Sequence, residues 1–213
     1  MIATLSSWDT ELFGYKVGIL KLRSQRFTYD IKKANVEHFD VVFVKADFWM
    51  EPDGQVRALD YLYDMELDAE VHYRLNRPTS VVTSNVSHLK IAKTAFQDSR
   101  FLSDLRLGEM VPDMYEKWLI RKPVHVLVGA EDDAFLLETK DDDGARRVSL
   151  VAVSESSRGM GLGKLLVSSV VRGCEEKFRV KVSCKNHRAV RFYETLGFRV
   201  KSVHTAFHVW TLP

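Results

Sequence analysis

The stretch "VSLVAVSESSRGMGLGKLLVSSVV", residues 148–171, decides the fold. Its opening reads as a strand, and its close begins a helix that runs from Gly161 to about Phe178. Between them stand Gly159, Gly161 and Gly163, flanked by Arg158 and Lys164. Where a chain turns from strand to helix, glycines let successive backbone N–H groups close around an anion. The new helix aims its free N–H groups and the positive end of its dipole at the same spot. Arg158 adds a planar fork suited to phosphate oxygens, and Lys164 a point charge. The residues allow two readings: a phosphate cradle, or a tight loop that needs only glycine's backbone freedom.

Spacing removes two phosphate ligands from the first reading. A Walker loop needs a hydroxyl after Gly-Lys for magnesium, and here Leu165 follows Gly163-Lys164. A dinucleotide fold needs Gly-x-Gly-x-x-Gly early in the chain, whereas this cluster is Gly-x-Gly-x-Gly and late. What remains is Arg-x-x-Gly-x-Gly, met by Arg158, Gly161 and Gly163.

The whole chain has 213 residues, 46% of them hydrophobic, enough for one sizeable core or two small ones. With 31 basic and 29 acidic residues the net charge is +2, which gives no global attraction to nucleic acid or a membrane surface. Cys174 and Cys184 make neither a disulfide framework nor a metal-ligand spacing. No basic-then-apolar leader or long apolar span stands out, so the expected setting is soluble, reducing and cytoplasmic.

Strand and helix patterns alternate along the chain. Residues 17–24, 41–47 and 69–76 read as strands, with a short helix over 29–39 and an amphipathic helix over 55–65. After "RPTS" at 77–80, a boundary marked by its proline, helices are expected over 88–99 and 109–123. Strands follow over 124–131, 133–140 and 146–154, the last two joined by the acidic turn "DDDGA". Residues 179–184 read as a buried strand, 187–198 as a helix closed by Gly197, and 198–212 as one or two strands. An internal echo sets "ALDYLYDMEL" from Ala58 against "AVRFYETLGF" from Ala189, as if both were the same helix and strand, with Leu62 in the place of Tyr193. Two amphipathic helices match in this way by chance as well.

"RGMGLGK" resembles the acyl-CoA binding motif of the GCN5-related N-acetyltransferases (GNAT superfamily), whose loop amides hold the pyrophosphate of coenzyme A. "NHRAVRFYETLGF", Asn186 to Phe198, is similar to that superfamily's second signature. The resemblance implies an α/β acyl-CoA N-acyltransferase fold, with a degenerate half over 1–77 packed on a catalytic domain over 80–213. It implies acetyl-CoA as co-substrate, held by Leu150, Val151, Ala152 and Val153 on the strand, by Arg158, Gly159, Met160, Gly161, Leu162, Gly163 and Lys164 in the loop, and by Asn186, Ala189 and Tyr193. In many members the tyrosine at the position of Tyr193 protonates the departing thiolate; packing beside Phe192 is the alternative role.

Acetyl transfer to an amine also needs the nucleophile unprotonated. Glu138 is the candidate base, against an exposed strand glutamate or a water chain. His204 and His208, four apart, lack a third ligand and read as half-buried strand histidines, with no metal expected.

"WDTELFGYKVGIL", Trp8 to Leu20, is similar to the opening of the dTDP-fucosamine acetyltransferase group, as are "AFQDSRF" and "YEKWLIRK" to its middle segment. That likeness implies a nucleotide-linked amino sugar as acceptor. Arg100 and Phe101 would offer the fork and aromatic face that a diphosphate and base require, unless they are a surface arginine and a core ring. The other readings are acetylation of a different amine (a protein N-terminus, polyamine or drug) and a non-catalytic coenzyme A module. The closing "KSVHTAFHVW" offers an edge for pairing across a two-fold axis, which makes a homodimer an expectation.

Overall fold

Residues 41–44 are an unbroken apolar run, and in the computed structural model 41–46 form an inner strand with Val41, Val42, Phe43 and Val44 all buried. The structure describes residues 2–22, 31, 34–47, 60–67, 77–96, 100–172 and 176–211. Their strands are β1 (Thr4–Leu5), β2 (Val17–Leu22), β3 (Val41–Ala46), β4 (Asp60–Leu67) and β5 (Thr79–Thr83). They continue as β6 (Pro123–Leu127), β7 (Ala134–Lys140), β8 (Arg146–Val153), β9 (Phe178–Ser183) and β10 (Phe198–Trp210). All ten join one mixed sheet in the order β1-β2-β3-β10-β4-β9-β8-β7-β6-β5.

Helices cover both faces of this α/β chain. They are α1 (Ser7–Phe13), α2 (Val86–Ala95), α3 (Val111–Leu119), α4 (Leu162–Val171) and α5 (His187–Thr195). On one face α2 and α3 bury Ile91, Ala92, Met114 and Leu119 against Phe135, Leu137, Leu150 and Ala152. On the other, α4 and α5 bury Leu166, Val167, Val170 and Tyr193 against Val148, Val180 and Val182. Asn85 caps α2 through a reciprocal pair: its Oδ1 accepts from His88 N, and His88 Nδ1 accepts from Asn85 N, each at 3.1 Å. The "DDDGA" turn closes the expected β7–β8 hairpin, with Gly144 at φ +83° and Asp141 N donating to Ala145 O at 2.8 Å.

Three expectations are corrected. Residues 60–65, expected to end a helix, belong to β4, which pairs antiparallel with β10 on one side and β9 on the other. The echo between Leu62 and Tyr193 therefore fails, because one is on a strand and the other on a helix. β10 is a single strand of 13 residues that pairs with β4 over Phe198–Ala206 and with β3 over Thr205–Trp210. The described part of 29–39 contains a 3-10 turn at Val36–His38, while the strand expected over 69–76 lies outside the described residues. The two segments expected from the sequence, 1–77 and 80–213, meet within the one sheet: β4 of the first lies between β9 and β10 of the second.

Candidate active site

β8 and β9 begin as a parallel pair and then part. Their register holds at Arg146–Phe178, Arg147–Arg179 and Val148–Val180, yet β8 runs on to Val153 and β9 to Ser183. The divergence coincides with a bulge in β8: Val148 is paired with Glu138 but Leu150 with Leu137. The extra residue, Ser149, sends Val148 to the α4 face and Leu150 and Ala152 to the α2–α3 face. Leu150, Val151, Ala152 and Val153 stay bonded to β7, so alternate backbone N–H and C=O groups on their other side turn into the fork. A strand edge of this kind accepts an extended chain with amides of its own.

At the mouth of the fork lies the glycine loop. Asp133, in the β6–β7 connection, anchors its start: Ser154 N donates to Asp133 O at 2.7 Å, and Ser157 Oγ and Ser154 Oγ donate to Asp133 Oδ1 at 2.7 and 3.2 Å. Gly159 and Gly161 hold φ of +82° and +79°, and a Cβ at either would meet nothing within 4 Å. Backbone conformation, not space, calls for glycine at these two positions. Gly163 differs, because its Cβ would stand 3.4 Å from Val153 and 3.6 Å from Phe192. Leu165 N donates to Gly161 O at 3.0 Å as α4 begins, so the amides of Leu162, Gly163 and Lys164 lie in the free first turn. Met160 and Lys164 are exposed on the rim, Leu162 is half-buried, and Arg158 Nε donates to Val153 O at 3.4 Å.

Tyr193 lies on α5, its ring edge-on to Phe192 at 5.1 Å and to Phe198 at 5.4 Å, and is 5% exposed. Burial pushes its phenol pKa well up, which keeps the proton on the oxygen at neutral pH. Asn186 caps the same helix by accepting from Ala189 N at 2.9 Å. That bond uses Oδ1, so a ligand contact from this residue falls to Nδ2.

The other singled-out residues stand elsewhere. Glu138 is opposite Val148 at the closed end of the fork, clamped by Arg146 Nε and Nη2 at 2.6 and 2.5 Å, with His125 Nε2 at 3.2 Å. Burial alone would raise its carboxyl, but Arg146 and His125 hold the pKa below the usual range. It is an ion-pair partner before it is a base. Phe101 is a core ring, 8% exposed and packed 5.4 Å from Phe13 and 5.6 Å from Phe43, so it has no open face for a nucleobase. Arg100 begins a 3-10 turn, and its side chain is outside the described residues. His204 and His208 are more buried than expected, at 6% and 9%, and each meets a carboxylate. His208 Nδ1 is 2.6 Å from Asp104 Oδ2, and His204 Nε2 is 3.3 Å from Asp64 Oδ2. Among the described residues no group of three His, Cys, Asp or Glu side chains is placed to hold a metal, and no helix is long and apolar enough to cross a membrane.

Asp133 escaped the sequence reading because it anchors the loop from 21 residues away and follows no spacing rule.

Residues 91–198 match the acetyltransferase (GNAT) family. The chain is a member of that family. No curated protein matches it in sequence. Among solved structures, it resembles a GCN5-related N-acetyltransferase from Sphaerobacter thermophilus at 15% identity and a TM-score of 0.50, covering 87% of this chain and 64% of that one. The chain thus spans less than two thirds of that protein's length. It also resembles a functionally unknown conserved protein from Staphylococcus epidermidis, at 12% identity and a TM-score of 0.62 over 97% of this chain and 90% of that one. At these identities the shared feature is the fold.

Proposed function

We propose that the protein transfers the acetyl group of acetyl-CoA to the amine of a nucleotide-linked amino sugar, by direct attack while both substrates are bound. The observation that carries the cofactor reading is the fork ending in the glycine loop. Family membership supports acyl transfer, and the likeness of Trp8–Leu20 to the dTDP-fucosamine acetyltransferase group supports the sugar.

In this reading the pyrophosphate sits on the first-turn amides of α4, and the pantetheine arm pairs with Leu150–Val153. The amine nitrogen attacks the thioester carbon, and backbone N–H groups of β8 stabilise the charge that builds on the carbonyl oxygen. As the C–S bond breaks, the Tyr193 phenol gives its proton to the sulfur. Its upward-shifted pKa keeps that proton available at neutral pH. The amine loses its proton to water in the fork, since Glu138 is held by Arg146.

Thiol release from acetyl-CoA against a panel of dTDP-4-amino-4,6-dideoxyhexoses, polyamines and peptides, with a no-acceptor control, tests this reading. Release with the amino sugars alone is the expected result. Release with a different amine keeps the cofactor site and discards the sugar, and release with none discards the transferase.

A further inference from the structure

Between β8 and α4 the chain from Ser154 to Gly161 is exposed or half-buried, except at Ser157, which is 9% exposed. The Ser157 hydroxyl donates to Asp133 Oδ1 at 2.7 Å, and the Ser154 hydroxyl donates to the same oxygen at 3.2 Å. Asp133 O accepts from Ser154 N at 2.7 Å as well. One residue thus holds the loop at two points. Past Ser157 come Gly159 and Gly161, both at positive φ, where a Cβ would meet nothing within 4 Å. Space does not confine the chain there, so its path is set by what holds its two ends.

Asp133 is itself fixed. In the connection from β6 to β7, Asp133 N donates to Ala130 O at 3.2 Å, and Asp132 Oδ1 accepts from Asn85 Nδ2 at 2.8 Å. Glu131 O lies 2.8 Å from Nε2 of His88, a fully buried residue. His88 Nδ1 accepts from Asn85 N, so the ring proton stands on Nε2 and is donated to Glu131 O. The connection is therefore bonded on one side to the start of α2 and on the other to the start of the glycine loop.

We propose that Asp133 is a positioning residue for coenzyme A: through Ser157 it fixes the glycine loop so that the Leu162, Gly163 and Lys164 amides are in place before the pyrophosphate arrives. The inference rests on the cofactor reading above. Charge and geometry act here with opposite signs. A carboxylate near an anion site repels the anion, so by charge alone Asp133 would weaken binding. Its benefit comes from hydrogen-bonded geometry, which spares the loop the entropy of ordering when the ligand binds.

Calorimetric titration of coenzyme A into the wild type and variants tests this, with pantetheine, which lacks the pyrophosphate, followed by ligand NMR as the control. Asp133→Ala is expected to weaken coenzyme A at least about tenfold and pantetheine by no more than about twofold, since two acceptor contacts to the loop are lost. Asp133→Asn, which keeps Oδ1 and drops the charge, stays within about threefold of wild type. Ser157→Ala weakens coenzyme A at least about threefold, and the double variant Asp133→Ala with Ser157→Ala binds no more weakly than Asp133→Ala alone, as two ends of one contact should. Equal coenzyme A affinity in wild type and Ser157→Ala overturns the proposal, even where Asp133→Ala does not fold. Equal losses for coenzyme A and pantetheine, or a double variant whose loss is the product of the single ones, overturn it too. Failure of the wild type to bind coenzyme A instead overturns the cofactor reading, so the two failures are distinct.

Discussion

β9 has two faces built from alternate residues, and they are put to opposite uses. Phe178, Val180 and Val182, none more than 6% exposed, close the core beneath α4 and α5. Arg179 and Ser183 face the other way, into ion pairs and hydrogen bonds with Glu66, Asp143 and Asp60, and Lys181 lies beside Asp64 on the same face. The apolar face keeps its contents fixed and dry, which suits a protonated phenol. The polar face keeps charge near solvent, which suits recognition. One side of the strand thus carries the packing around the proposed acid, and the other carries a charged network.

The sharpest way to break this division is Tyr193→Phe. It removes only a hydroxyl from the apolar face, and turnover is expected to fall about 10²-fold with acetyl-CoA affinity unchanged. Steady-state kinetics beside a binding isotherm checks it; turnover within about threefold of wild type would assign Tyr193 to packing alone. Next comes Gly161→Val at the mouth of the fork. A β-branched residue at φ +79° is strained, and acetyl-CoA affinity is expected to drop at least about tenfold by calorimetry. Unchanged affinity would remove the loop from the cofactor site.

The remaining two predictions concern the polar face. Burial would raise the Asp64 carboxyl, yet the His204 hydrogen bond with the charges of Arg147 and Lys181 brings its pKa to about 2 from an ordinary 3.8. A depressed carboxylate stabilises the fold above its unfolded pKa, and that stability is lost as pH falls from about 4 toward about 2. Asp64→Asn is therefore expected to lose about 1 to 2 kcal/mol at pH 7, with wild type and variant converging near pH 2. Urea unfolding across that range is the measurement, and a gap that persists in acid would assign the loss to packing. Lys181 gives the smallest effect, with the opposite sign. Its pKa of about 8, below the ordinary 10.5, means that the ammonium costs stability at neutral pH and that the cost fades as pH rises from 8 to 10.5. Lys181→Met should be more stable at pH 7 by about 1 kcal/mol after solvent screening. A less stable variant would make Lys181 a structural residue.

How far the sequence could be read follows from where each signal resides. Most of Arg146 to Phe198 was legible because its cues are local: β8 alternates, the glycines mark the turn, and α5 carries its own cap in Asn186. The helix expected to run to about Phe178 instead ends at Val171, and Phe178 opens β9. β4 was misread because "DYLYDMEL" carries two periods at once. Tyr61, Tyr63, Met65 and Leu67 alternate as a strand, while Leu62 and Met65 also stand one helical turn apart. What decides is the pair of strands on either side, and β10 is far away in sequence. The site divides likewise. The loop glycines, Asn186 and Tyr193 lie within motifs, whereas Asp133 depends on which connection comes to lie beside the loop.

The insertion of β10 between β3 and β4 also governs the order of assembly. Residues 41–46 and 60–67 are synthesised early; β3 can pair with β2 at once and β4 with β9 later, but each keeps one edge open until 198–210 emerges from the ribosome. A nascent chain therefore waits with apolar strands open along an edge, and closing the sheet is its most non-local step. Chaperone demand should peak while the acetyltransferase motifs are already made but the final strand is not.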